Sequence, residues 1–144
     1  MAIDSTMAAR KAGLTILRAS APLAALVPKA QIHPQSPPKI PLWPFIMWGS
    51  ASSIPVVGTC LDGQEITVAV HAFAKSRTDN GATVETAEDF ASRIGALIAK
   101  TLDRRKADAP GGRLTFAWRG SQLLIDGDDA FHSVQNFRIR AITN

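Results

Sequence analysis

A single cysteine, Cys60, stands in the whole chain. It excludes an internal disulfide and a zinc site built from several cysteines, and nothing beside it marks an activated thiolate, so a plain buried or strand-end thiol is expected. Long apolar runs are missing too. The two longest, Pro22–Val27 and Leu42–Trp48, fall far short of the roughly 20 residues that a membrane-spanning helix needs, so no transmembrane segment and no membrane partner is expected. The opening stretch MAIDSTMAARKAG carries Asp4 early and has no apolar run followed by a small-residue cleavage site. A secretory signal is therefore not expected, and the reading places the chain in a cytosol.

Charge is scarce, at 19% of residues, and the net value of +4 is unevenly spread. The excess lies in residues 1–58, where Arg10, Lys11, Arg18, Lys29 and Lys39 face Asp4 alone; beyond them acids and bases balance. Cations spaced this thinly do not form the dense stripe, with aromatic or polar readers, of a nucleic-acid footprint. The densest basic cluster, Arg104, Arg105 and Lys106, is read as closing a helix, where cations complement the helix dipole.

Patterns that carry catalysis are also lacking. The nucleophile candidates are Cys60 and the serines Ser50, Ser52, Ser53, Ser121 and Ser133, with His33, His71 and His132 as possible bases. Gly49-Ser50-Ala51 has neither the flanking glycines nor the following helix of a nucleophile elbow. His71 in mid-strand and His132 at a strand start read as hydrogen-bonded core or interface residues. The tip Asp126-Gly127-Asp128-Asp129 lacks the distal bidentate Glu of a calcium loop, whose ion takes about six to eight oxygens, and is read as a hairpin turn. Gly111-Gly112 precedes a strand, so no helix N-terminus is there to cradle a phosphate. Phe116 and Trp118 share one strand face and are read as core residues under the main helix, with Arg119 beside them, in preference to a stacking platform for bases. No catalytic residue, cofactor or metal is expected.

What is present is enough apolar material, 46% of 144 residues, to bury one core, so residues 1–144 are read as a single domain. Thr6–Ala19 has amphipathic helical spacing, and Ser20 followed by Pro22 starts a short second turn. Prolines 28, 34, 37, 38, 41 and 44 forbid helix and central strand, which makes 28–44 an extended arm. Trp43–Trp48 reads as a short strand ending in a mobile loop, GSASS, with a turn at Leu61-Asp62-Gly63. Glu65–Lys75 is the central strand, and Lys75–Thr83 is expected to be an exposed loop. Thr86 caps the main helix, in which Ala87, Phe90, Ala91, Ile94, Leu97, Ile98 and Leu102 recur at helical spacing. Strands follow around Leu114–Trp118, Leu123–Ile125 and Phe131–Ile142. The fold class is therefore α+β: an antiparallel sheet of about five strands with one long amphipathic helix on one face, an N-terminal helix and a proline-rich extended arm.

This order of elements resembles the tail terminator, or tail completion, family of long-tailed bacteriophages and gene transfer agents. The residues that carry the resemblance are the N-terminal helix leading into Leu23-Ala24-Ala25-Leu26-Val27, then Ile32, then Pro44-Phe45-Ile46 after the prolines. They continue with the strand Val68–Phe73, the alanine-rich helix Ala87–Leu102 and the closing strand begun by Phe131-His132, so that about Ala12 to Ile142 is covered. The resemblance implies a structural virion protein of the tail and neck, assembled in the host cytoplasm, and no enzyme. It further implies a homohexameric ring on the head-proximal end of the tail tube, with the tail tube protein and the head-tail connector or head completion protein as partners. DNA would pass through the lumen without sequence-specific binding. On this reading the subunit interface would draw on Ile40, Leu42 and Trp43 of the arm, with Arg104 and Arg105 complementing Asp126, Asp128 and Asp129, while Lys75 and Arg77 would face the lumen or the tube. Two alternatives predict different behaviour: a head completion or connector protein of the neck, and a basic nucleic-acid-binding module.

Overall fold

The computed structural model describes residues 3–58 and 61–143, so Cys60 lies outside the described residues. Where apolar residues recur at helical spacing, the chain is helical. Helix α1 (Thr6–Ala19) buries Ala9, Gly13, Leu14 and Leu17. Helix α2 (Ala21–Ala24) is one turn, begun by Ser20, whose Oγ accepts from the Leu23 amide at 3.3 Å. Helix α3 (Ala87–Leu102) is begun by Thr86, whose Oγ1 accepts from the Asp89 amide at 3.1 Å. Glu88 and Asp89 lie in its first turn, where the helix dipole favours negative charge.

The strands are β1 (Ile32–His33), β2 (Phe45–Gly58), β3 (Leu61–Lys75), β4 (Arg77–Asp79), β5 (Ala82–Glu85), β6 (Lys106–Ala109), β7 (Gly112–Ile125) and β8 (Ala130–Thr143). Six of them form one sheet in the order β1-β2-β3-β8-β7-β6, and β4 with β5 forms a separate two-stranded sheet. The large sheet curls, so that α1 touches both β2 and β6. Alternation along the strands sends one set of side chains under the helices. Ile66, Val68, Val70, Ala72 and Ala74 of β3 join Ile46, Trp48, Phe137, Ile139, Leu114 and Phe116 against Phe90, Ala91, Ile94, Ile98 and Leu102 of α3.

The α+β class and the helix-covered face agree with the sequence reading. The sheet departs from it: the strands expected around Leu114–Trp118 and Leu123–Ile125 are one strand, β7, with an irregularity in register between Trp118 and Ser121 in place of a break, and the sheet differs in three further places. First, it has six strands and is mixed, because β1 runs parallel to β2. Ile32 is buried there, and its carbonyl accepts from the Arg18 guanidinium at 2.7 Å, so a two-residue strand forms among the prolines that were read only as an arm. Second, GSASS is no loop: β2 continues through it to Gly58, with an irregularity in register between Trp48 and Ala51. A Cβ at Gly49 would stand 2.7 Å from His71 Nε2, so only glycine allows this close approach. Strand β3 correspondingly begins at Leu61, where a turn was expected. Third, the expected loop 75–83 holds the hairpin β4–β5. Asn80 and Gly81, at φ 51° and 78°, form its turn, the Asn-Gly signature of a two-residue hairpin.

Arg104, Arg105 and Lys106 lie past the end of α3. Arg104 has φ 63°, its amide donates to the Phe116 carbonyl at 2.8 Å, and Lys106 opens β6. Trp118 is the other correction: Phe116 is fully buried, but Trp118 is 43% exposed, because the stripe of α3 beside the groove it lines carries the small residues Ser92, Ala96 and Ala99. Replacing Ile94 by Ala is expected to cost about 2–5 kcal/mol through loss of core packing, and Thr86→Ala about 1 kcal/mol through loss of the cap. Urea unfolding of the two variants would measure both.

Candidate assembly surfaces

The acidic tip forms because Gly127 (φ 110°) and Asp129 (φ 53°) adopt left-handed backbone, closing β7 onto β8 with the Asp126 amide donating to the Ala130 carbonyl at 2.9 Å. Asp128 is exposed, whereas Asp129 accepts from the Ser76 hydroxyl. The basic turn Arg104–Lys106 lies at the other end of β7, where Lys106 pairs with Thr115. From Thr115 to Ile125 the strand rise separates turn and tip by about 30 Å. The structure thus puts the two charged patches at opposite ends of one strand and does not bring them together within the chain.

The arm stands beside β1, at the other rim of the sheet. Gln31 Nε2 donates to the Pro44 carbonyl at 2.6 Å, tying the arm's end back to its start. Ile40 and Leu42 are 88% and 72% exposed, while Trp43 is only partly so. The Trp43 indole packs edge-on against Phe45, centroids 5.0 Å apart, with Lys75 Nζ 4.6 Å from its ring centre. Lys75 therefore covers the root of the arm. Arg77 pairs with Glu85 at 3.1 Å, and Arg93 meets the same carboxylate at 2.7 Å. These contacts, Arg93 first, hold Glu85 below the ordinary carboxylate range.

The sheet face away from the helices carries a row of rings that sequence reasoning did not assemble. Phe45 stacks on Phe73 at 4.6 Å, Phe73 on His132 at 4.3 Å, and His132 lies 4.8 Å from His71. Cross-strand register makes the row, since Phe45 pairs with Phe73 and Phe73 with His132. His71 Nδ1 and His132 Nε2 are 2.6 Å apart, so one donates, the other accepts, and at least one ring is neutral. Burial, then repulsion from His132, holds His71 below its usual pKa; burial also lowers His132, opposed by Asp126. His33 is lowered by burial and by Arg18. Ser133 faces the opposite side of the sheet, where its hydroxyl accepts from Gln135 at 2.9 Å, and among the described residues no serine joins the histidine pair. Nor does any group of three or more His, Cys, Asp or Glu among them suit a metal ion.

A groove of about 370 Å³ opens between α3 and β7, lined by Ser92, Ala96, Ala99, Trp118, Leu123 and Gln135 among others. Its floor is polar and built: Trp118 Nε1 donates to Gln135 Oε1 at 2.9 Å, and Gly95 leaves room for Ser133 and Gln135 beneath the helix. The signal in the sequence was the spacing of Ser92, Ala96 and Ala99, small residues on one stripe of a helix otherwise read for its large ones.

The residues singled out from the sequence thus fall on separate surfaces of the fold: the arm, the basic turn and the acidic tip. The family model for tail completion protein gp17 matches residues 12–142. The chain belongs to the tail completion family. Its members are structural virion proteins of bacteriophages. Among solved structures, a chain in the virion of a native gene transfer agent (GTA) particle is 17% identical, with a TM-score of 0.75, covering 96% of this chain and 99% of that one. At that identity the likeness speaks for the fold. No curated protein matches.

Because the folded state lowers the pKa of His71, His132 and His33 from 6.5, the unfolded chain binds more protons just below that value. The tail completion protein is therefore expected to hold its full stability above about pH 6.5 and to lose part of it as pH falls toward 5. Urea midpoints at pH 7.5 and 5.5 would show this, with a smaller difference in a His71→Gln, His132→Gln double variant.

Proposed function

We propose that this tail completion protein is a tail terminator, a subunit that closes into a homohexameric ring on the head-proximal end of the tail tube. The ring ends tube growth and joins the tail to the connector or head completion protein. The observation that carries the reading is family membership over nearly the whole chain. A ring needs a heterologous interface, in which unlike patches of each subunit meet around a closed rotation. The arm and the acidic tip, at different rims of one sheet, suit such a contact.

The size of the chain is compatible with this role. A 144-residue globule has a radius of gyration of about 14–15 Å and a diameter of roughly 37 Å, which leaves a six-membered ring a lumen of about 35 Å before loops narrow it. Duplex DNA would pass without base-specific contact. In this reading Ile40, Leu42 and Trp43 of the arm and Asp126, Asp128 and Asp129 of the tip contribute to subunit contacts, as do Arg104 and Arg105. Lys75 and Arg77 turn to the lumen or the tube. Single surface ion pairs contribute only about 0–1 kcal/mol, so the apolar arm dominates.

Electron microscopy of particles made without the gene is expected to show overlong or unattached tails, and normal particles would refute termination. Asp128→Lys is expected to weaken assembly modestly, and Ile40→Asp with Leu42→Asp severely, both read as the fraction of tails joined to heads.

A further inference from the structure

We propose that the proline-rich arm of one subunit seats in the groove between α3 and β7 of the next, an inference that rests on the ring reading above. The groove borders an open strand edge. Strand β6 pairs with β7 only from Gly112 to Thr115, and among the described residues no strand pairs with the outer edge of β7, opposite β8, from Arg119 to Ile125. Leu123, Leu124 and Ile125 are exposed there at 38%, 44% and 76%, and past Arg119 and the irregularity between Trp118 and Ser121 the strand carries no charge or proline up to Ile125, which leaves that part of the edge open to a partner.

The arm fits this edge in three respects. Pro37-Pro38-Lys39-Ile40-Pro41 favours polyproline geometry, which docks in aromatic-lined grooves at low entropic cost; Trp118 supplies the aromatic wall, and the small residues of α3 leave space for Ile40 and Leu42. Carbonyls of the arm are acceptors for the outward amides of β7, so its missing proline N–H groups cost nothing. Charge agrees as well: Lys39 has no ion-pair partner among the described residues, and Asp126 and Asp128 follow the end of β7, just beyond Leu123, which lines the groove.

Register supplies the third argument. Gln35 stands beside Trp48 and Ala51, and the arm returns to the sheet at Phe45. Across β3 and β8, Ala51 is on the rung of Trp118, Trp48 on that of Ser121 and Phe45 on that of Leu124. The arm at one rim therefore spans the same rungs as the groove at the other. With the strands running along the ring axis, as this docking requires, a rotation about that axis brings them together without sliding one subunit along its strands. The unpaired part of β2, beyond Ala51, stands on higher rungs and would need such a slide.

The test uses particles carrying the full chain with Cys60→Ser, Ile40→Cys and Ala96→Cys, treated with a short bismaleimide. The expected result is a ladder of cross-linked chains ending at the ring's copy number, absent from either single-cysteine variant. Lys39→Glu is expected to lower incorporation into particles at least threefold, with recovery on adding Asp128→Lys. Rings that incorporate normally but give no ladder, or a cross-link confined within one chain, would overturn the arm's docking and leave the ring standing. A chain that never enters particles, with its Ile40 and Ala96 unchanged, would defeat the ring reading and this inference with it.

Discussion

The long antiparallel pairing of β3 with β8, from Gly63 opposite Ile142 to Lys75 opposite Ala130, is the element on which the remaining structure hangs. Both strands are interior to the sheet, so their backbone groups are satisfied on two sides, and the alternate residues Ile66, Val68, Val70, Phe137 and Ile139 are sealed beneath α3. At about 25 cal/mol per Å² of apolar surface removed from water, such a layer outweighs any ion pair on the surface. Because stability is concentrated at the centre, the rims are free to carry contact surfaces: the arm beside β1 at one, the open edge of β7 and the acidic tip at the other.

The second face of the sheet solves a different problem. No helix covers it, yet Phe45 is buried and Phe73, His71 and His132 are half-buried, by stacking on one another and under Trp43. Aromatic and imidazole rings in offset contact shield each other without a covering layer. The hydrogen bond between the two histidines needs one ring to accept, so at least one of them is neutral while it is intact. Farther along, Glu65 holds Arg138 at 3.2 Å and Arg140 at 3.4 Å, a polar continuation of the same surface.

Periodicity made the helices legible. Thr6–Ala19 was readable to the residue, and the cap at Thr86 was visible because its hydroxyl has a single local role. The acidic tip was equally plain, since Gly127 and its aspartates have no alternative to a turn. What stayed hidden was set by long-range register or by close approach. GSASS has loop composition, but it is held as strand by pairing to β3 and by the space that Gly49 leaves for His71. The parallel pairing of Ile32 with β2 depends on Arg18, distant in sequence, reaching its carbonyl. Trp118 shares its alternation with Phe116, and only the small residues of the facing helix leave it half-exposed. The arm and the tip were legible as composition, the prolines of one and the acids of the other, whereas the α3–β7 groove arises from juxtaposition: the small-residue stripe of α3 is visible in the sequence, but not the strand that faces it.

These features suit the proposed role, in which the subunit fits against copies of itself and against other virion proteins. The most direct test of that claim is a cryo-electron microscopy reconstruction of intact particles at a resolution that separates strands. The account predicts several copies of this fold arranged around the tail axis where tube meets connector, with the helices and sheet of each recognisable. Density for this chain elsewhere in the particle, as an isolated single copy, or nowhere in it would contradict the account.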